Sequence, residues 1–381
     1  MPANAPQQAR RIALWAGLAA AFVVSPGFAD AAPPPGTSTR ALIEQLGLVE
    51  APAPVRERAG WSPPRKVLVN PLAPERVAEL QAAFPKLQFL VAATPDEAAK
   101  LAKDADVSLG WCTPAVLAAG KKLRWVQSYS AGVERCVSIP EFRERDVLLT
   151  NMQRVAAPVM AEHVLAMMLA FSRGLEFYIP ERMAGRWSDE PPSSVRMVSL
   201  EGKTLLVVGL GGIGTEVAKR AHALGMKVTA VRNTGREGPE FVSYVGLPAE
   251  LRRLAGEADF VVNTTPLTPA TTGMFDAKFF AACKPGAYFF NVGRGRSVVQ
   301  ADLVAALESG RLAGAGLDVT DPEPLPADHP LWKMQNVILT PHVSASSDLG
   351  HSVRFAIVEE NLRRYLAGEK LLSVVDVARG Y

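Results

Sequence analysis

The chain has 381 residues, 41 basic and 38 acidic, with a formal net charge of +3 and 48% hydrophobic residues. That length suits two domains with ordinary cores, and the mixed charge gives no reason to expect nucleic acid or a membrane surface as partner. Three scattered cysteines, Cys112, Cys136 and Cys283, form no C-x-x-C, so neither a disulfide framework nor a metal site is expected.

The first residues differ in kind from the rest. Arg10 and Arg11 precede an apolar run over residues 12–24, and Ala29, Asp30 and Ala31 lead into A-P-P-P-G. A positive head, a short apolar middle and a small-residue end describe an export signal over residues 1–31, too short to span a bilayer comfortably. On this reading the mature form carries no membrane segment and is periplasmic or secreted; if the stretch is an uncleaved tail instead, the protein is cytoplasmic. The paired arginines raise twin-arginine export of a folded protein with its cofactor already bound, although A-R-R-I-A-L is a poor version of that pattern. Residues 32–65 are rich in Pro, Ala and charge with one helical patch near 41–48, and read as a linker or a strapped-on arm.

From Lys66 the chain alternates in α/β fashion. Strands are predicted over residues 67–70, 87–93, 107–111 and 124–130, and helices over 74–84, 95–105 and 114–119. A long helix follows over 158–174. It is apolar nearly all round and should be buried between domains or subunits, with Met160, Met167 and Met168 as core filler. Such a face predicts a homodimer.

The stretch T-L-L-V-V-G-L-G-G-I-G, residues 204–214, then reads as buried strand, tight turn and helix. Gly209 allows the turn, Gly211 lets backbone amides approach a pyrophosphate, and Gly214 lets helix and strand pack closely. Gly212 and Ile213 complete the turn, and a second strand follows over 227–231. At its end, where a dinucleotide site usually presents a carboxylate to the ribose, stand Arg232 and Asn233. A guanidinium cannot accept that hydrogen bond but can pair with a 2′-phosphate, so NADP is favoured over NAD. The end of the strand over 260–265 brings Thr265 and Pro266 against the cofactor. A last helix over 349–367 is expected to return to the first block.

Three later stretches carry a resemblance: N-V-G-R-G (residues 291–295), L-D-V-T-D-P-E-P-L (317–325) and T-P-H (340–342). With the glycine turn and S-A-G-V (130–133), their order and spacing resemble the D-isomer-specific 2-hydroxyacid dehydrogenase family. The resemblance implies two Rossmann-like α/β domains with parallel sheets. A dinucleotide domain over 153–344 would be inserted into a discontinuous substrate domain over 66–152 and 345–381. It also implies a catalytic arginine, carboxylate and histidine, the places held here by Arg294, Glu323 and His342, and an Asp318 that contacts the nicotinamide carboxamide.

Hydride transfer to a small 2-keto acid calls for such groups. Arg294 can hold the substrate carboxylate and polarise the carbonyl, and amides around Ser130, Ala131 and Gly132 can cradle the carboxylate from the other side. His342 would give the proton to the forming alkoxide, and Glu323 would fix its tautomer and favour its charged form. His163 and His222 read as structural. Trp111, Tyr129 and Arg135 are candidates for selecting the substrate. The alternative function is a dinucleotide-sensing binding protein with little catalysis.

Overall fold

The computed structural model describes residues 38–70, 74–348 and 350–381; the predicted export signal lies outside the described residues. The stretch read as linker or arm is, from Ser38 onward, an arm. The Ser38 hydroxyl accepts from the Ala41 amide to start α1 (Thr39–Leu46), and Gly47 ends it in the left-handed region at φ 59°. The chain then lies along the C-terminal segment, with the Ala51 amide donating to the Leu371 carbonyl at 2.7 Å and the Ser373 amide to Val49 at 2.8 Å.

The first sheet is built from β1 (Lys66–Val69), α2 (Pro74–Ala83), β2 (Gln88–Val91), α3 (Pro95–Ala102), β3 (Val107–Leu109), α4 (Pro114–Ala119), β4 (Trp125–Gln127), α5 (Glu134–Val137), α6 (Glu141–Glu144) and β5 (Leu148–Thr150). Proline near the start, with the Thr94 and Thr113 hydroxyls accepting from first-turn amides, begins α3 and α4 where the sequence predicts. All five strands are parallel in the order β2-β1-β3-β4-β5. The three-residue β5, absent from the predicted strands, completes the sheet by pairing to β4.

Next come α7 (Ala157–Ser172) and α8 (Leu175–Met183). Ala161, Val164, Met167, Met168 and Phe171 of α7 enter the core of the second sheet, so most of this apolar helix is buried within one unit. Leu169 stays 40% exposed.

The second sheet takes in β6 (Thr204–Val208), α9 (Gly212–Ala223), β7 (Lys227–Val231), β8 (Tyr244–Gly246), α10 (Leu251–Glu257), β9 (Phe260–Asn263), α11 (Ala277–Ala282), β10 (Ala287–Asn291), α12 (Gln300–Glu308), β11 (Leu312–Leu317) and β12 (Val337–Leu339). Its seven parallel strands run β12-β11-β10-β9-β6-β7-β8. The order reverses between β6 and β9, so the glycine turn after β6 opens on the crevice where doubly wound sheets bind ligands. Phe275, Phe279, Phe280 and Phe289 fill one face, with Phe279 and Phe275 edge to face at 4.8 Å. Burying each such ring contributes roughly 1.5–3 kcal/mol.

The final helix, α13 (Gly350–Ala367), returns to the first sheet as expected. Ile357, Val358, Leu362 and Tyr365 pack with Val67, Val107 and Trp125, and the Trp125 and Tyr365 rings stack at 4.9 Å. Among the described residues no helix is long and apolar enough to cross a membrane.

One expectation is corrected. Cys112 and Cys136 form a disulfide, their Cα atoms 5.7 Å apart. They are 24 residues apart in the chain, and only the packing of α5 beside the segment after β3 brings them together. Cys283 is free and buried, and burial pushes its thiol up to about 12.

Candidate active site

The glycine turn has the geometry its sequence predicts. Gly209 sits at φ 98°, where a side chain is strained, and a Cβ there would lie 3.1 Å from Thr264 and Thr265. A Cβ on Gly214 would strike the Gly209 carbonyl, so the third glycine is what lets α9 close on β6. Around Gly211 there is open space, nothing within 4 Å of where a Cβ would stand. That space, facing the first amides of α9, fits the close approach of a diphosphate.

Arg232 follows β7. One guanidinium nitrogen donates to the Glu237 carbonyl at 2.8 Å, and no carboxylate pairs with it among the described residues. Its charge is held in place but not neutralised, which fits a 2′-phosphate. Asn233 beside it is exposed. Thr265 is buried and spends its hydroxyl on Asn263 Oδ1 at 2.7 Å, so it supports the floor of the turn, whereas Pro266 is exposed at the end of β9.

The loop after β10 carries Arg294 on a buried polar lattice. Asn263 Nδ2 donates to Asn291 Oδ1 at 2.9 Å and to Ser297 Oγ at 2.8 Å, while Asn291 Nδ2 and Ser297 Oγ donate to the Arg294 carbonyl. Fully bonded amides of this kind hold a loop in one conformation. The Arg294 side chain then reaches over to the first sheet. Its Nε donates to Glu134 Oε1 at 2.9 Å, and a Cβ on Gly132 would collide with its guanidinium. Sequence reasoning missed Glu134; its position directly after S-A-G-V was the available signal.

The expected cradle is only partly free. The Ser130 amide already donates to Ser128 Oγ at 3.1 Å, whereas the Ala131 and Gly132 amides have no acceptor among the described residues. Trp111 turns into the core beside Cys136 and Val133, Tyr129 is packed against Gly110, and Arg135 is exposed. Tyr129 loses its water on burial, which pushes its phenol well above the ordinary range.

His342 and Glu323 are brought together. His342 Nδ1 lies 2.9 Å from Glu323 Oε2, and the Thr320 amide donates to the other carboxylate oxygen at 3.1 Å. Both side chains are about half exposed. The hydrogen bond and the charge of Glu323 raise the His342 pKa, against burial and the Arg294 charge. Burial pushes Glu323 up, but the His342 hydrogen bond, the Thr320 amide and Arg294 bring it below its ordinary value. With Nδ1 committed to the carboxylate, Nε2 is the ring atom left to exchange a proton with a substrate.

Asp318 sits in a bonded network beneath the His342 loop. Its side chain is fully buried, with Oδ1 accepting from the Thr340 hydroxyl at 2.6 Å and the Val343 amide at 2.9 Å, and Oδ2 from the Ser344 amide at 3.0 Å. The Asp318 carbonyl also accepts from the His342 amide at 2.8 Å, so this residue anchors the loop that holds His342 at φ 55°. His163 of α7 completes the anchor with Nε2 at 3.0 Å from Thr340 Oγ1. Because that hydroxyl gives its proton to Asp318, the imidazole nitrogen must be the donor.

Bared amides at a glycine turn and an imidazole held by a carboxylate, set across one crevice, are the two halves of a dinucleotide-dependent oxidoreductase. Comparison with known proteins narrows the class. The chain belongs to the D-isomer specific 2-hydroxyacid dehydrogenase family, and residues 165–344 match that family's NAD-binding domain. It is 33% identical to the human glyoxylate reductase/hydroxypyruvate reductase over 260 residues, 67% of this chain and 78% of the relative. An NADPH-dependent glyoxylate/hydroxypyruvate reductase from Sinorhizobium meliloti, solved with NADP and sulfate, superposes with a TM-score of 0.72 at 32% identity, covering 83% of this chain and all of that one. A D-isomer specific 2-hydroxyacid dehydrogenase from Xanthobacter autotrophicus, solved with NADPH, gives 0.71 at 31% identity, covering 84% of this chain and all of that one.

Proposed function

We propose that the protein reduces a small 2-keto acid such as glyoxylate or hydroxypyruvate to the D-2-hydroxy acid with NADPH, using Arg294, Glu323 and His342. The observation that carries the reading is the 2.9 Å bond from His342 Nδ1 to Glu323, with Arg294 at the same crevice. The glycine turn and Arg232 would hold the cofactor, which supplies hydride to the carbonyl carbon. Arg294 pairs with the substrate carboxylate and draws charge from the carbonyl oxygen as it becomes an alkoxide. The Ala131 and Gly132 amides bind the carboxylate from the first sheet. Protonated at Nε2, His342 gives its proton to that oxygen while Glu323 steadies the imidazolium; in the oxidative direction it takes the proton back. The two units, 153–344 and the remainder from residue 66, would close on the substrate and exclude water.

A screen of 2-keto acids with NADPH and with NADH tests this. Turnover with NADPH on glyoxylate or hydroxypyruvate is the expected result. Tight NADPH binding with no turnover on any keto acid would favour the dinucleotide-sensing alternative.

Two further points belong to this reading. The protein is a homodimer that buries the exposed Leu175, Ile179, Met183 and Trp187 of α8 and the chain after it, a run with Trp187 95% exposed. Sedimentation of the wild type and of Met183→Asp checks this, with monomers expected for the variant. It is exported by residues 1–31, a reading supported by the Cys112–Cys136 bridge, since disulfides persist in oxidising compartments. Fusion of residues 1–40 to a reporter that is active only after export tests it, and a reporter requiring folded export tests the twin-arginine route.

A further inference from the structure

The arm that precedes the first strand touches both units. It is fastened to the C-terminal segment by the bonds of Ala51 and Ser373, by the Glu50–Arg364 ion pair at 2.7 Å, and by the Trp61 indole donating to the Tyr365 carbonyl at 3.2 Å. Its helix α1 ends at the other unit, where Leu46 shares a small cavity with Arg154, Pro158, Gly212 and Thr215. Arg154 is the link. It sits at φ 70°, a left-handed conformation rare for arginine, and this lays its stem over the glycine turn. A Cβ on Gly212 would lie 2.6 Å from Arg154 Cγ and 3.3 Å from its Cα. The guanidinium points the other way, 3.3 Å from where a Cβ on Gly47 would stand, at the C-terminal end of α1 whose carbonyls favour a cation. Glu216 lines the same cavity, and its carboxylate is bonded by Arg220.

We propose that the arm is a working part of the dinucleotide site: the last turn of α1 holds Arg154 against Gly212 and so fixes the backbone amides that receive the pyrophosphate. The physical reason is the turn's own composition. A stretch with glycine at 209, 211, 212 and 214 has many conformations to lose on binding. A stem packed across it from outside removes part of that cost in advance. Arg154 is then a positioning residue, acting through Gly212, and Leu46 positions Arg154. The inference rests on the dinucleotide reading above.

Its test uses full-length protein: wild type, Arg154→Ala, Arg154→Lys, Leu46→Ala, and Val49→Ser as a control at an exposed arm position. NADPH binding is titrated by fluorescence, KM for NADPH and kcat are measured separately, and thermal unfolding is followed in parallel. Arg154→Ala and Leu46→Ala are expected to weaken NADPH binding about fivefold to tenfold and to raise KM more than they lower kcat. Arg154→Lys, which keeps the stem and the charge, restores most of the affinity, and Val49→Ser matches the wild type. Wild-type affinity in both Arg154→Ala and Leu46→Ala overturns the arm's role while leaving the dinucleotide reading intact. A wild type that binds neither NADPH nor NADH overturns both. Equal losses of affinity and melting temperature across all variants, the control and Arg154→Lys included, also overturn it.

Discussion

Two regions on either side of the Asp318 backbone use the same residue types to opposite ends. On one side His342 and Glu323 face the crevice about half exposed, paired through Nδ1 with Nε2 free. On the other, Asp318 and His163 meet at Thr340, with the carboxylate buried and bonded to a hydroxyl and to loop amides. A histidine near a carboxylate is thus no evidence of catalysis by itself. What separates the two is whether the carboxylate bonds the ring directly or spends itself on a hydroxyl and loop amides. The first arrangement has the form that the proposed proton transfer needs; the second holds a loop.

Breaking the exposed pair should have the largest effect. His342→Ala is expected to lower kcat for reduction by roughly 10²–10⁴-fold while leaving NADPH affinity nearly unchanged, measured by absorbance and by titration. Arg294→Gln should cost about 10²-fold, chiefly in kcat/KM for the keto acid, because substrate carboxylate and developing alkoxide both lose their donor.

The pH profile sharpens the contrast. Glu323 raises the His342 pKa, so the reductive rate holds below that raised value and falls as pH rises through it. In Glu323→Gln the histidine loses its largest upward influence, and the alkaline fall should begin at a lower pH, with kcat reduced about tenfold or more. A fall that does not move would detach Glu323 from the histidine.

The buried side should respond in stability first. Asp318→Ala strands the Val343 and Ser344 amides and the Thr340 hydroxyl, a cost of about 1–3 kcal/mol for each buried group left unpaired, readable by denaturant unfolding. Its kcat should fall as well, since the His342 loop loses its anchor. The smallest effect is expected from His163→Gln, which can still donate to Thr340: a change in stability of about 1 kcal/mol or less and an unshifted pH profile. A shift of that profile would mean that the two regions are not separate.

What was legible in the chain follows from range. The motif T-L-L-V-V-G-L-G-G-I-G contains its own strand, turn and helix within eleven residues, so the observed β6, glycine turn and α9 match the reading closely. Strands with clear apolar runs, such as β7, were equally readable, whereas β5 was not predicted although it is as long as β3 and β4. The Glu323–His342 bond was reachable because two local motifs bracket it, and the Asp318 contacts were not, because a carboxylate before a loop reads the same whether it faces a ligand or its own backbone. Cys112 and Cys136 failed for a related reason: spacing in the chain says nothing of spacing across α5.

By itself, then, the order of residues determined the α/β class, the cofactor turn and the identity of the three groups proposed for catalysis, since each is written in periodicity or in a contiguous motif. Only the tertiary structure decided that Glu134 meets Arg294 from 160 residues away, that Asp318 bonds the loop carrying His342, and that the arm reaches Arg154. Those are contacts between elements, and they come into being when both sheets are packed and the last helix has returned.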